Sequence, residues 1–286
     1  GIDTVTATAG VNTISTGAGA DIITGGTGVD TITGGAGADV FTYTGITQSN
    51  SSNTDSITDW TSGTDKLAIT LDYSAQTSAV TVNATVGTAR AGITAAQDNF
   101  SGERGQVIYD TTNSNVLINQ NNDNLITTLD YKIGLNAAST AANTVVEGDI
   151  NFTITGGAGA DTITAGGGAD TISTGLGGGT VIAGDGADTV TVGGGTDIVK
   201  LTATTAALIA TETGSTAGTD VDFAAGTIGD KVSTFTSATD KFHFAAALLT
   251  NALGTEADTL ITQGAAGTVT NATRFLELTA AFDGTT

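Results

Sequence analysis

A nine-residue phrase recurs in register through two stretches of this chain, and few folds can accommodate it. Gly25-Gly26-Thr27-Gly28-Val29-Asp30-Thr31-Ile32-Thr33 runs straight into Gly34-Gly35-Ala36-Gly37-Ala38-Asp39-Val40-Phe41-Thr42, and the phrase returns at Gly156-Gly157-Ala158-Gly159-Ala160-Asp161-Thr162-Ile163-Thr164. Counted in nines, the first array holds a partial repeat ending at Thr6, then 7–15, 16–24, 25–33 and 34–42. The second holds 156–164, 165–173, 174–182, 183–191 and 192–200. Position six reads Asp3, Asn12, Asp21, Asp30 and Asp39, then Asp161, Asp170, Gly179, Asp188 and Asp197. Position eight is apolar throughout: Val5, Ile14, Ile23, Ile32 and Phe41, then Ile163, Ile172, Val181, Val190 and Val199.

Elementary geometry turns this pattern into an architecture. Positions seven to nine are largely β-branched and suit a very short strand, in which position eight points inward and its threonine neighbours outward. Positions one to six must reverse the chain, and glycine supplies the backbone conformations this needs. Two repeats then complete one coil, so residues 18 apart stack one strand spacing apart. The 41 glycines fall in register and there is no proline, which argues for a regular structure rather than a flexible linker. Cysteine is absent, so neither disulfides nor thiolate sites can staple the fold.

The charge pattern points to a metal. The chain carries 29 acidic and 8 basic residues, a net charge of −21. Such a surface repels nucleic acid and anionic lipid and attracts divalent cations. Stacking places Asp3 over Asp21, Asp21 over Asp39 and Asp170 over Asp188. Two carboxylates about 4.8 Å apart repel by roughly 0.9 kcal/mol even in water. Each repeat buries one apolar side chain worth about 1.5–3 kcal/mol, against roughly 9–18 kcal/mol of backbone entropy for nine residues. A hard cation resolves the conflict. Ca²⁺ takes six to eight oxygens from carboxylates and turn carbonyls, whereas Mg²⁺ keeps a tight hydrated octahedron. Several Ca²⁺ ions are therefore the expected cofactor.

The phrase GGxGxDxUx resembles the nonapeptide of RTX proteins, a calcium-binding β-roll family. The resemblance implies that one repeat gives carbonyls from positions two and four plus its Asp. The repeat 18 residues on gives carbonyls from positions one and three plus its own Asp. Carried over, one site uses Gly17, Gly19 and Asp21 with Gly34, Ala36 and Asp39, and another uses Gly166, Gly168 and Asp170 with Ala183, Asp185 and Asp188. Gly26, Gly28, Gly157, Gly159, Gly184 and Gly186 hold the equivalent turn positions. The Asn12–Asp30, Asp161–Gly179 and Gly179–Asp197 pairs lack one carboxylate and are expected to be weaker or empty.

A matching tail follows each array. Asp55-Ser56-Ile57-Thr58-Asp59-Trp60 through Gly63, Asp65, Lys66 and Leu67 aligns with Asp230 through Phe235, Ala238, Asp240, Lys241 and Phe242, which departs at Thr234 and Ala238. The phrase looks like the segment that closes the roll in secreted RTX proteins, with Asp55, Asp59 and Asp65 as further candidate ligands or turn formers. The expected fold is all-β: two parallel β-rolls, each followed by a β-rich capping segment. The expected units are 1–146, with its roll at 1–42, and 147–286, with its roll at 147–200. Residues 106–110 and 116–120 read as a β-hairpin, 125–135 as a further strand, and 94–99 and 245–253 as short helices. The start falls inside a repeat, which suggests part of a longer or processed polypeptide.

No catalytic constellation emerges. The one histidine, His243, sits between aromatics as a strand or core residue, and neither HExxH nor GxSxG occurs. Acid pairs are the chemistry of glycoside hydrolysis, but most acids here are already assigned to metal or turns, so a non-enzyme is expected. Two functions stand open. The first is a secreted structural protein of the bacterial cell surface, an S-layer, filament or adhesin that folds and self-assembles on Ca²⁺. Its partners would be copies of itself in a lattice or filament, or cell-surface polysaccharide, with no nucleic acid and no membrane insertion. The second is a C-terminal secretion and folding module of a larger exported hydrolase or toxin. The resemblance also implies type I secretion, with Arg274-Phe275-Leu276-Glu277-Leu278 and Phe282-Asp283 as the candidate uncleaved signal.

Overall fold

The structure, a computed structural model, describes residues 1–87, 93, 100, 103–123, 125–135, 145–201, 230–233 and 240–244. They divide into two compact units: Gly1–Tyr73 with Thr81–Thr155 and Thr164–Gly168, and Ser74–Val80 with Gly156–Ile163 and the described residues from Ala169 onward. No α-helix occurs among the described residues, and so none long and apolar enough to cross a membrane.

In the first unit the array forms β1 (Thr4–Thr6), β2 (Thr13–Ala18), β3 (Ile22–Thr24), β4 (Thr31–Ala36) and β5 (Val40–Tyr43). Each pairs in parallel with the strand one coil on: Val5 faces Ile23, Ile14 faces Ile32, and Ile23 faces Phe41. Odd strands build one sheet and even strands the other, as a coil of two repeats requires. The position-eight side chains Ile23, Ile32 and Phe41 are buried between the sheets, while Val5 at the open end is only half-buried.

The tail adds one more coil. β6 (Asp55–Ile57) lies on β4 with Ile57 beside Ile32, and β7 (Lys66–Asp72) lies on β5 with Leu67 beside Phe41. Trp60, in the connection between them, is buried and tilts against Phe41 with ring centroids 6.2 Å apart. After β8 (Thr81–Asn83) comes the expected hairpin, β9 (Val107–Asp110) and β10 (Asn115–Ile118), antiparallel with Tyr109 opposite Val116. β11 (Tyr131–Leu135) is antiparallel to β10 and parallel to β6. It is shorter than the 125–135 expected. Asn119, Asp123 and Asp130 accept backbone N–H bonds from 120–122, 125 and 127 and so hold the preceding residues in turns. β12 (Ile150–Thr155) runs parallel on β7, with Ile150 facing Leu67. The stretch assigned above to the start of the second roll thus adds a strand to the first unit.

A buried carboxylate secures that return. Asp149 accepts the Ser62 hydroxyl at 2.6 Å, the Gly63 N–H at 2.7 Å and the Val146 N–H at 3.1 Å, with the Lys66 ammonium at 3.7 Å.

The second unit repeats the scheme with β13 (Thr162–Thr164), β14 (Thr171–Ser173), β15 (Thr180–Ile182), β16 (Thr189–Thr191), β17 (Ile198–Leu201), β18 (Lys231–Ser233) and β19 (Lys241–Phe244). β14, β16 and β18 form one parallel sheet, and β13, β15, β17 and β19 the other. Ile172 faces Val190, Val190 faces Val232, and Val181 faces Val199. Ile163, Ile172, Val181, Val190 and Val199 are all buried. The strands after the array again close the coil, and His243 lies in the last of them. The expected helices at 94–99 and 245–253, the departures Thr234 and Ala238, and the candidate secretion segment lie outside the described residues.

Candidate metal centre

The site begins with the turns. Positions two and four carry positive φ at Gly17 and Gly19 (102° and 148°), Gly26 and Gly28 (86° and 137°), Gly35 and Gly37 (107° and 146°), and Gly184 and Gly186 (106° and 143°). Side chains are excluded there by more than dihedral preference. A Cβ on Gly35 would lie 1.7 Å from the Gly17 carbonyl oxygen, and one on Gly37 would lie 1.8 Å from that of Gly19. Successive turns therefore stack backbone on backbone, with the carbonyls of one coil against the α-carbons of the next.

Beside the turns, position six forms columns with a directional bond. The Asp3 N–H donates to Asp21 Oδ1 at 2.7 Å, that of Asp21 to Asp39 Oδ1 at 2.9 Å, and that of Asp39 to Asp65 Oδ1 at 3.0 Å. On the other edge Asn12 donates to Asp30 at 2.8 Å and Asp30 to Asp55 at 2.9 Å. The second unit has Asp170 to Asp188 at 2.8 Å and Asp188 to Asp230 at 3.1 Å, then Gly179 to Asp197 at 2.8 Å and Asp197 to Asp240 at 3.1 Å. Asp55, Asp65, Asp230 and Asp240 are the closing members of these columns. Counting in nines missed Asp230 and Asp240, although their alignment with Asp55 and Asp65 was visible.

One oxygen per carboxylate is thus satisfied; the other sorts the residues. In Asp21, Asp30 and Asp188, Oδ2 is buried and meets no hydrogen-bond donor, while the Tyr43 and Thr174 hydroxyls stand beside the carboxylates of Asp55 and Asp197. A buried unsatisfied polar atom costs roughly 1–3 kcal/mol, more when charged. Three together cost about 3–9 kcal/mol, a large share of the net stability of an ordinary domain. Oxygen anions held in a dry place without donors fit a hard cation. Among the described residues no three acidic, His or Cys side chains converge closely enough to hold a metal ion by themselves. The remaining ligands must therefore be backbone oxygens. Of those carried over for the Asp21–Asp39 pair, the Gly34 oxygen accepts the Thr16 hydroxyl at 2.7 Å and the Ala36 oxygen the Gly19 N–H at 2.8 Å, each keeping a second lone pair.

Other candidates are already saturated. Asp59 accepts the Gly34 and Gly35 N–H groups on its two oxygens, and Asp65 those of Asp39 and Thr61. Asp161 accepts Val80 at 2.8 Å and Gly157 at 2.7 Å. These three act as caps on stacked turns. Asp3 gives its N–H to Asp21 while its own side chain stays exposed. Gly166 and Gly168 belong to the first unit, while Asp170, Ala183, Asp185 and Asp188 belong to the second.

Burial also raises the proton affinity of these groups. It pushes Asp55 up to about 7, with repulsion from Asp30 adding to it and the Asp30 N–H opposing it. Burial likewise raises Asp188 to about 6, and raises Asp65, Asp185 and Asp197. Without a cation, a proton is the only positive charge these carboxylates can recruit.

Stacked glycine turns with columns of buried carboxylates, several of them with an oxygen free of donors, define a calcium-binding β-roll. Residues 6–41, 153–181 and 180–199 match the RTX calcium-binding nonapeptide repeat, in four copies. The chain carries RTX nonapeptide repeats, and such repeats bind calcium ions. A comparison with curated proteins finds no match. Proteins with these repeats are typically exported.

Proposed function

We propose that this calcium-binding protein is a secreted structural component of the bacterial cell surface, without catalytic activity, whose folding is gated by Ca²⁺ and followed by association with copies of itself. The observation that carries the reading is the set of buried carboxylate oxygens without donors in Asp21, Asp30 and Asp188. At the low Ca²⁺ of a cytosol the repulsion stored there keeps the coils open, and a chain in that state suits export. External Ca²⁺ joins the carboxylates and fixes the roll. Self-association is supported by β1 and β2, which end their sheets in the first unit beside the exposed apolar side chains Ile2 and Val11. Electron microscopy of the full chain with and without Ca²⁺ tests the proposal. Ordered sheets or filaments that form only with Ca²⁺ support it. Persistent monomers at saturating Ca²⁺ would favour a folding and secretion module of a larger exported protein.

A further inference from the structure

We propose that the Asn12–Asp30 step of the first roll is closed by the protein alone, the Asn12 carboxamide standing where other steps take a calcium ion. This rests on the calcium reading of the neighbouring steps and departs from it at one position.

The geometry is specific. Asn12 Nδ2 donates to the Gly10 carbonyl at 3.0 Å, to Asp30 Oδ1 at 3.1 Å and to the Gly25 carbonyl at 3.3 Å. Gly10 is position four of the same repeat, and Gly25 and Asp30 are positions one and six of the repeat 18 residues on. Three of the six groups that the repeat pattern assigns to an ion therefore share the two protons of one amide nitrogen. An amide NH₂ brings two protons to acceptors and no lone pair to a metal. Asp30 Oδ1 is additionally bonded to the Asn12 backbone N–H at 2.8 Å, which leaves only Asp30 Oδ2 unserved at that carboxylate.

An aspartate at this position would leave two carboxylates facing one another, as at Asp21 and Asp39. Asparagine removes one negative charge and supplies donors in the same place. The step then needs no cation to keep its register, which the Thr31 N–H to Asn12 carbonyl bond at 2.9 Å and the Gly10 N–H to Thr27 carbonyl bond at 2.8 Å fix. In calcium-free solution it stays paired while the Asp21–Asp39 step opens. It is thus a preformed turn of the roll, on which adjacent coils wind when Ca²⁺ arrives.

Native mass spectrometry of the full chain, counting bound Ca²⁺, tests this with two variants. Asn12→Ala is expected to hold as many ions as the wild type, and Asn12→Asp one more. Loss of one ion in Asn12→Ala would show that the carboxamide oxygen is a ligand and overturn the proposal, as would an unchanged count in a folded Asn12→Asp. Should Asn12→Asp fail to fold, Asn12→Ala decides alone. Hydrogen exchange of the calcium-free wild type gives a readout independent of ion counts. The Thr31 amide is expected to exchange at least tenfold more slowly than the Val40 amide, which bonds to the Asp21 carbonyl at 2.8 Å. Equal or faster exchange at Thr31 would overturn the proposal. A wild type that binds no Ca²⁺ would sink the calcium reading itself, and the exchange comparison would still judge the Asn12 step.

Discussion

Asp21 gives its backbone N–H to one carboxylate oxygen of Asp39 at 2.9 Å, while Oδ2 of its own buried carboxylate meets no donor. The column is thus ordered by backbone bonds and strained by charge at the same residues. Backbone bonding sets the register; the cation decides whether that register is stable.

Asp21→Asn separates the two effects. Without Ca²⁺ the variant exchanges an unserved buried carboxylate for a neutral amide, and its stability is expected to rise by about 1–3 kcal/mol. With Ca²⁺ it loses a ligand. An ion present at a hundred times its dissociation constant contributes about 2.7 kcal/mol, so the calcium-bound form is expected to fall by up to that amount. Urea midpoints of wild type and variant, with chelator and with saturating Ca²⁺, should therefore cross over. A variant destabilised under both conditions would mean that Asp21 serves only as a backbone cap.

The acid response of the calcium-free protein follows from Asp55. Its folded value is raised to about 7, above the roughly 3.9 of an unfolded aspartate. Between those values the folded state binds more protons than the unfolded one, so stability falls as pH rises. The contribution is fully present below about 4 and lost through about 7. Asp188, raised to about 6, acts in the same sense. Calcium-free protein should thus have a higher urea midpoint at pH 5 than at pH 8, and Asp55→Asn should reduce the difference. Saturating Ca²⁺ should reverse the slope, because protons then compete with the ion. A calcium-free midpoint that rises with pH would contradict the burial of these groups.

The 18-residue stacking, the buried position eight and the hairpin at 107–118 were legible because each follows from periodicity or alternation that the chain repeats without interruption. The closing coil was less so. Asp55 follows Asp30 by 25 residues and Asp65 follows Asp39 by 26, so inserted loops break the count of nine while the backbone register survives. In the second unit the intervals grow to 42 and 43. Asp149 carried no signal at all, since its partners Ser62 and Gly63 are more than 80 residues away. Nor did spacing distinguish Asp30, with a free oxygen, from Asp161, with none. That difference depends on whether a backbone N–H from the turn reaches the second oxygen.

Turn stacking makes a sharp contrast between two glycines. Gly35→Ala must find room for a Cβ 1.7 Å from the Gly17 oxygen at φ 107°, which combines left-handed strain with overpacking and is expected to cost about 2–5 kcal/mol. Gly63→Ala meets the strain at φ 78° but nothing within 4 Å, so about 1–2 kcal/mol is expected. Thermal unfolding in Ca²⁺ ranks the two. Equal losses would mean that the Gly17 and Gly35 turns do not stack in close contact.

The contacts of Asp149 predict an unequal pair of variants at the return of the first unit. Its carboxylate is fully buried and takes two backbone N–H groups and the Ser62 hydroxyl, whereas the Lys66 side chain is 31 % exposed and stands 3.7 Å away. Solvent screens the ion pair, so Lys66→Ala should cost no more than about 1 kcal/mol. Asp149→Asn keeps the shape but offers one acceptor oxygen where two were used, and turns an NH₂ toward groups that themselves donate. It should cost about 1–3 kcal/mol. Because neither residue belongs to a carboxylate column, both losses should be the same with chelator as with Ca²⁺. A calcium-dependent loss at Asp149 would instead make this turn part of the metal-sensing stack.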